Sequence, residues 1–231
     1  MNGQGGLRWR LTAPLTRRSR ERRYRLFMDV MHPRPDDKVL DVGVTEADWR
    51  SSNFLEARYP WPAQLTAVAP QAMPRFVHNH PDVSFVRADG RELPFADRTF
   101  DIGFSNAVIE HVGSRTDQRR FVSEMVRTCR RVFLCTPNAR FPVDPHTLLP
   151  FVHWLPRGPR NRVLRLTGNA RWATEEMLNP LNGADLRNMF EPDAGVKLIG
   201  QRMFGLATVL IAVTGTRAPA EYDLAKGAGD P

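Results

Sequence analysis

The 231-residue sequence predicts an α/β fold, a seven-stranded mostly parallel sheet with helices on both faces. Two observations carry most of that expectation. Short, compact apolar runs alternate along the chain with segments of helical spacing, the pattern of a parallel sheet covered on both sides. Several of those runs also end in polar residues beside Gly or Pro. A chain of this length suits one domain with a sizeable core and a short appendage.

Taken in order, residues 1–16 lack periodicity and read as a flexible start. Residues 17–31 predict a helix, with Tyr24, Phe27, Met28 and Met31 at i, i+3, i+4 and i+7. Pro33 and Pro35 end it. Lys38–Gly43 is the first strand, and Ser51–Tyr59 a helix that Ser51 or Ser52 could cap. Gln64–Ala69, Val83–Arg87 and Phe100–Asn106 are the next three strands. Thr116–Arg130 is helical through Phe121, Met125 and Val126. Val132–Thr136 is a fifth strand, stopped by Pro137. Between Asn138 and Gly183 the chain is rich in Pro, aromatic residues and Arg. Short helices are expected at Arg162–Leu166 and Ala184–Phe190. Val196–Ile199 and Leu206–Val213 make a closing pair of strands, and 215–231 a fraying tail. The division is therefore a basic arm and helix at 1–31, a main domain at 32–214 with a variable segment at 138–183, and the tail.

Charge is unevenly placed. Of the net +8, residues 1–25 carry +7, from eight arginines and the single acid Glu21. The body is nearly neutral, so the arm is what contact with a membrane surface or a nucleic acid would use. A solvated helix face explains the arginines equally well. No apolar stretch reaches the roughly 18–20 residues of a transmembrane helix, and no signal-peptide core follows the basic start. The protein is expected in the cytoplasm, peripheral to the membrane if the arm binds one. Cys129 and Cys135 read as reduced, partly buried thiols. His78 and His80 lack a third ligand at metal spacing, and no metal is expected.

Four strand ends hold the chemistry. VLDVGVTEA at 39–47 ends a strand in Asp41 and Gly43. VSFVRADGRELPFADRTFD at 83–101 carries Asp89, whose carboxylate is placed to accept from an amino group. FSNAVIEHV at 104–112 turns polar at Ser105-Asn106 and again at Glu110-His111. FLCTPN at 133–138 ends in a proline stop. In this order the four segments resemble the class I S-adenosylmethionine-dependent methyltransferase family, in its type 11-like branch acting on small or lipid-type molecules. The resemblance covers about residues 37–136. The run TPNARFPVDPHTLLPFVHWLP is also similar to a bacterial methyltransferase subgroup. The resemblance implies a Rossmann-like sheet with the last strand antiparallel and S-adenosylmethionine as methyl donor. It implies Asp41 and Gly43 at the methionine end, Asp89 and Gly90 at adenine, and Asn106 beneath the cofactor. Val44, Thr45 and Ala107 complete the implied cofactor set.

Two departures stand out. The family loop reads Asp-x-Gly-x-Gly-x-Gly, where this chain has Thr45 and Ala47 at the later glycines. The acid that binds the ribose is replaced by Ala69, with Glu46, Asp48 or Gln71 available instead. A lost carboxylate costs on the order of 1.5–3 kcal/mol per charge-assisted hydrogen bond. The departures admit a second reading, a non-catalytic binding partner on the same fold, and the arm admits a third, a nucleic-acid-modifying enzyme. The Gly-x-Gly-x-x-Gly of a nicotinamide dehydrogenase is absent. Methyl transfer needs in-line placement at about 3–3.5 Å, and for a hydroxyl acceptor a base. His146 and His111 are the candidates, with Asp144 as orienting partner. Phe141, Leu148, Leu149, Phe151 and Trp154 predict that 138–154 walls the pocket of a mainly apolar or lipid-linked acceptor.

Overall fold

The structure is a computed structural model that describes residues 7–46, 52–174, 177–203 and 205–215, with side chains from residue 14 onward. The expectations for residues 1–6, Ala47, Asp48, Ser51 and the tail from 216 fall outside them. The strands are β1 (Val39–Val42), β2 (Leu65–Ala69), β3 (Ser84–Arg87), β4 (Phe100–Asn106), β5 (Cys129–Pro137), β6 (Lys197–Met203) and β7 (Leu206–Val213). They form one sheet in the order β3-β2-β1-β4-β5-β7-β6. β7 runs antiparallel to β5 and β6, and the other pairings are parallel. The seven-stranded, mostly parallel sheet is thus as expected. Its order reverses between β1 and β4, where a parallel sheet opens a crevice at its carboxyl edge.

The helices are α1 (Leu7–Met31), α2 (Pro74–Asn79), α3 (Arg115–Thr128), α4 (Arg157–Leu166) and α5 (Gly183–Arg187). α1 covers one face. Its buried positions Arg23, Leu26, Phe27, Val30 and Met31 follow the i, i+3, i+4, i+7 repeat, whereas Arg17, Arg18, Arg22 and Arg25 stay exposed. Phe27 sits edge-on to Phe104 and Phe133, with ring centroids at 5.2 and 5.5 Å. Phe54, Leu55 and Phe76 complete that side. On the opposite face α3 brings Phe121, Val122 and Met125, and α5 brings Leu186, against Leu40, Val68 and Leu134. Both cysteines are free, as expected, and fully rather than partly buried. Among the described residues, no helix is long and apolar enough to cross a membrane.

Several local expectations change. The helix expected over 17–31 begins at Leu7, so the aperiodic segment up to residue 16 is mostly helical. Burial of its C-terminal half against the sheet supplies the stability that its own periodicity does not advertise. Residues 52–58 form successive turns rather than a helix, closed by the Tyr59 N–H donating to the Leu55 carbonyl at 2.8 Å before Pro60. α2 has no counterpart in the predicted elements. Pro74 opens it, and the Glu46 carboxylate accepts from the backbone N–H groups of Arg75 and Phe76 at 2.9 and 3.3 Å.

Candidate active site

A cavity of about 530 Å³ opens at the carboxyl edge of the sheet where the strand order reverses. Val42, Gly43 and Val44 reach it from β1, and Ala69, Pro70 and Gln71 from β2. Ala88, Asp89, Gly90 and Arg91 reach it after β3, and Ala107, Val108 and His111 after β4. The N-terminus of α3 forms its floor with Gly113, Ser114 and Asp117. That helix end is held by a capping box: Ser114 Oγ accepts from the Asp117 N–H at 3.2 Å, and Asp117 Oδ2 accepts from the Ser114 N–H at 3.0 Å.

The β1 loop keeps its shape by contacts other than the missing glycines. Gly43 has φ +111°, and a Cβ there would fall 2.1 Å from Val108 Cγ2. Here glycine is required by a protein neighbour. Thr45 is pinned through its backbone: its N–H donates to Asn53 Oδ1 at 3.1 Å, and Asn53 Nδ2 donates to its carbonyl at 2.8 Å. Thr45 itself does not line the large cavity. Glu46 is likewise engaged, its carboxylate capping α2. Gln71 is exposed at the cavity mouth beside Ala69.

Asp41 lies deeper, in a small recess it shares with Gly43, Val44, Asn53 and Asn106. Both Glu56 carboxylate oxygens are buried without a hydrogen-bond partner among the described residues. Burial first, then the charge of Glu56, pushes Asp41 well above the usual carboxylate range, and burial raises Glu56 too. Burial and like charge together disfavour ionising both carboxyls at once. Asp89 is the opposite case. The Arg91 guanidinium donates to it at 2.6 Å and the Arg91 backbone N–H at 2.9 Å. The Arg91 hydrogen bond outweighs burial and holds its carboxyl below the ordinary range.

A second cavity, about 470 Å³, lies on the other side of Asn106 and Ala107. Ala107 borders both cavities. It adopts φ 57°, a left-handed turn that a small residue tolerates better than a β-branched one. From the 138–154 segment, Phe141, Val143, His146 and Leu148 line the second cavity. Trp154 does not: it is half exposed, and its indole N–H donates to the Ala139 carbonyl at 2.7 Å. Trp172 takes that place, with Arg171 stacked on its ring at 4.5 Å.

α1 supplies Ser19, Arg20 and Arg23 to this cavity, so its arginines are not only a solvated face. Buried Arg23 donates through Nη1 to Asn106 Oδ1. Burial lowers its pKa, against the charges of Cys135 and Glu110, and burial with the neighbouring Arg23 lowers Arg20 to about 10. In the sequence Arg23 reads as one charge in a basic run. Its place in the i, i+3, i+4 series with Leu26 and Phe27 was the signal available.

The two candidate histidines meet. His111 Nε2 and His146 Nε2 are 3.0 Å apart, with Trp172 tilted over both rings. His146 Nδ1 donates to Asp144 Oδ1 at 3.1 Å. Asp144 Oδ2 also accepts from the Thr147 hydroxyl at 2.7 Å. Burial opposes a charge on His146, but the Asp144 hydrogen bond and the charges of Glu110 and Asp144 raise its pKa above the usual imidazole value. Nothing in the sequence motif around His111 marks Glu110, one residue before it, as a partner of the two histidines. Glu110 is buried, with Oε2 accepting from the Thr136 hydroxyl at 3.0 Å.

A sheet of this order, with a cavity at the switch between β1 and β4, is the fold of class I S-adenosylmethionine-dependent methyltransferases. Residues 50–132 match the family model described as a methyltransferase domain. Solved structures agree on the fold. Magnesium protoporphyrin IX methyltransferase (ChlM) of Synechocystis PCC 6803, with S-adenosylhomocysteine bound, aligns at a TM-score of 0.56 and 14% identity, over 93% of this chain and 90% of that one. The N-methyltransferase NodS of Bradyrhizobium japonicum WM9 aligns at 0.52 and 12%, over 87% and 96%. None of the curated proteins matches the chain.

Proposed function

We propose that the chain transfers a methyl group from S-adenosylmethionine in the 530 Å³ cavity to an anionic small molecule with an apolar body in the 470 Å³ cavity. One observation carries this reading: the two cavities meet at Ala107, on either side of the end of β4. The sulfonium is already activated, so holding donor and acceptor in line across that point supplies most of the rate. The acceptor's class follows from the wall that receives it. Phe141, Leu148 and Trp172 bury an apolar body, and Arg20, Arg23 and Arg171 offer cations to a carboxylate or phosphate.

On the donor side, Asp41 with Glu56 takes the methionine ammonium. Gly43 and Val44 present backbone to the same end, over a loop that Asn53 holds at Thr45. Asp89 and Gly90 meet adenine, and Gln71 stands in for the ribose acid. Asn106, fixed by Arg23, and Ala107 lie beneath the reacting centre. His111 and His146 handle the acceptor's proton.

Calorimetric titration with S-adenosylmethionine and S-adenosylhomocysteine tests the donor side. Both are expected to bind, and Gln71→Glu is expected to bind roughly tenfold tighter, because a carboxylate restores a charge-assisted hydrogen bond to the diol. Absence of binding at millimolar cofactor would overturn the proposal and favour a non-catalytic binding partner. For the acceptor side, Trp172→Ala is expected to raise the acceptor KM at least tenfold while Trp154→Ala leaves it unchanged, read by steady-state kinetics. Equal effects would place the acceptor elsewhere.

A further inference from the structure

The geometry points to a divalent transition-metal site, of the zinc class, formed by His111 Nε2, His146 Nε2 and Glu110 Oε1 at the boundary between the two cavities. Its starting point is a conflict of lone pairs. His111 Nδ1 lies 2.6 Å from the Met177 carbonyl oxygen, which can only accept, so the ring proton is on Nδ1. His146 Nδ1 faces the Asp144 carboxylate at 3.1 Å, and that carboxylate also accepts from the backbone N–H groups of His146 and Thr147. Its proton too is on Nδ1. Both neutral imidazoles therefore turn an unprotonated Nε2 toward the other, at 3.0 Å. Glu110 Oε1 is buried beside them, 3.9 Å from His111 Nε2 and 3.8 Å from His146 Nε2, and finds no hydrogen-bond donor among the described residues.

Three electron-pair donors thus converge with no proton among them. A single added proton can bridge the two nitrogens but leaves Glu110 Oε1 without a partner. A cation satisfies all three. The dimensions agree: a triangle with sides of 3.0, 3.8 and 3.9 Å has a circumradius of about 2.1 Å, the length of a zinc–imidazole bond. The surroundings are those of a metal centre as well. Asp144 orients His146 and a backbone carbonyl orients His111, the outer hydrogen bonds that fix ligating imidazoles. Thr136 holds the other oxygen of Glu110.

This departs from the expectation of no metal. Glu110 and His111 are adjacent in sequence, but His146 is 35 residues from His111 and arrives through the segment after β5. Two histidines and one carboxylate make three protein ligands, the number that leaves a position for a substrate oxygen. His146 lines the acceptor cavity and His111 the cofactor cavity. Resting on the function proposed above, the ion binds the acceptor's oxygen and lowers its pKa, so that the proton leaves to solvent and His111 and His146 act on it as ligands of the ion rather than as free bases.

The test is titration of the full-length, EDTA-treated protein with Co²⁺, read by its visible ligand-field bands, followed by displacement with Zn²⁺. One equivalent is expected to bind at micromolar concentration. Glu110→Gln and the pair His111→Ala with His146→Ala should lose the bands, Asp144→Asn should bind 10–100-fold more weakly, and His78→Ala should bind as the parent does. Circular dichroism of each variant reports its folding. Failure of the parent protein to bind one equivalent overturns the site, as does unchanged binding in the folded double variant. Titration of the same samples with S-adenosylmethionine separates the two ideas. Cofactor binding without metal sinks the ion alone, and metal binding without cofactor sinks the methyl donor alone.

Discussion

Replacing Phe27 by alanine is expected to destabilise the protein by about 3–5 kcal/mol, the cost of emptying a large buried aromatic site. Phe27 is fully buried and rests edge-on against Phe104 of β4 and Phe133 of β5, whose rings stack at 5.8 Å. The cavity left behind would lie between α1 and the centre of the sheet, where neighbouring strands are hydrogen-bonded and cannot close in. Urea unfolding followed by circular dichroism measures it. A loss under about 1 kcal/mol would mean that α1 is an attachment and not part of the core. The same helix carries Arg23 to Asn106, so in this variant the 470 Å³ cavity should loosen before the fold is lost.

Glu56→Gln is expected to stabilise the protein at pH 8 by about 1–3 kcal/mol, with the gain shrinking toward pH 4. The sign follows from linkage. The folded pKa values of Asp41 and Glu56 are raised above those of the unfolded chain. The contribution of such a pair is fully present below the unfolded carboxylate pKa, near 4, and is lost as pH rises through the folded values. An amide at position 56 removes the like charge and offers Asp41 a donor, so less is lost. The measurement is the difference in Tm between variant and parent across that range, and a difference that does not vary with pH would show that the two carboxyls do not share a proton. On the proposed placement of the methionine ammonium, the parent's affinity for S-adenosylmethionine should also rise with pH, because the incoming cation displaces that proton. Glu56→Gln should blunt that rise.

Strand positions and the carboxyl-edge crevice were legible in the chain because their causes are local. Apolar runs such as Leu65–Ala69 and Phe100–Asn106 declare strands by composition, and the polar residues Asp41, Asp89 and Asn106 at or just beyond strand ends mark the carboxyl edge. Gly43 announced a tight loop, though its reason is Val108, 65 residues away. The successive turns at 52–58 and helix α2 are not legible in the chain; α2, for one, depends on a partner outside itself, the Glu46 carboxylate at its start.

What no local pattern could convey is which distant groups share an environment. Arg23 reads as one more charge in a basic segment until packing of α1 aims it at Asn106. Glu56 lies in an ordinary amphipathic stretch until the fold sets it beside Asp41 and withholds a donor. Glu110, His111 and His146 come from two loops, and the lone-pair conflict among them exists only when both are in place. Composition and periodicity act through neighbours along the chain, and they suffice to specify strands, helix faces and the class of sheet. Protonation, charge compensation and ligand geometry act through space over a few ångströms, and they take their values from the tertiary arrangement.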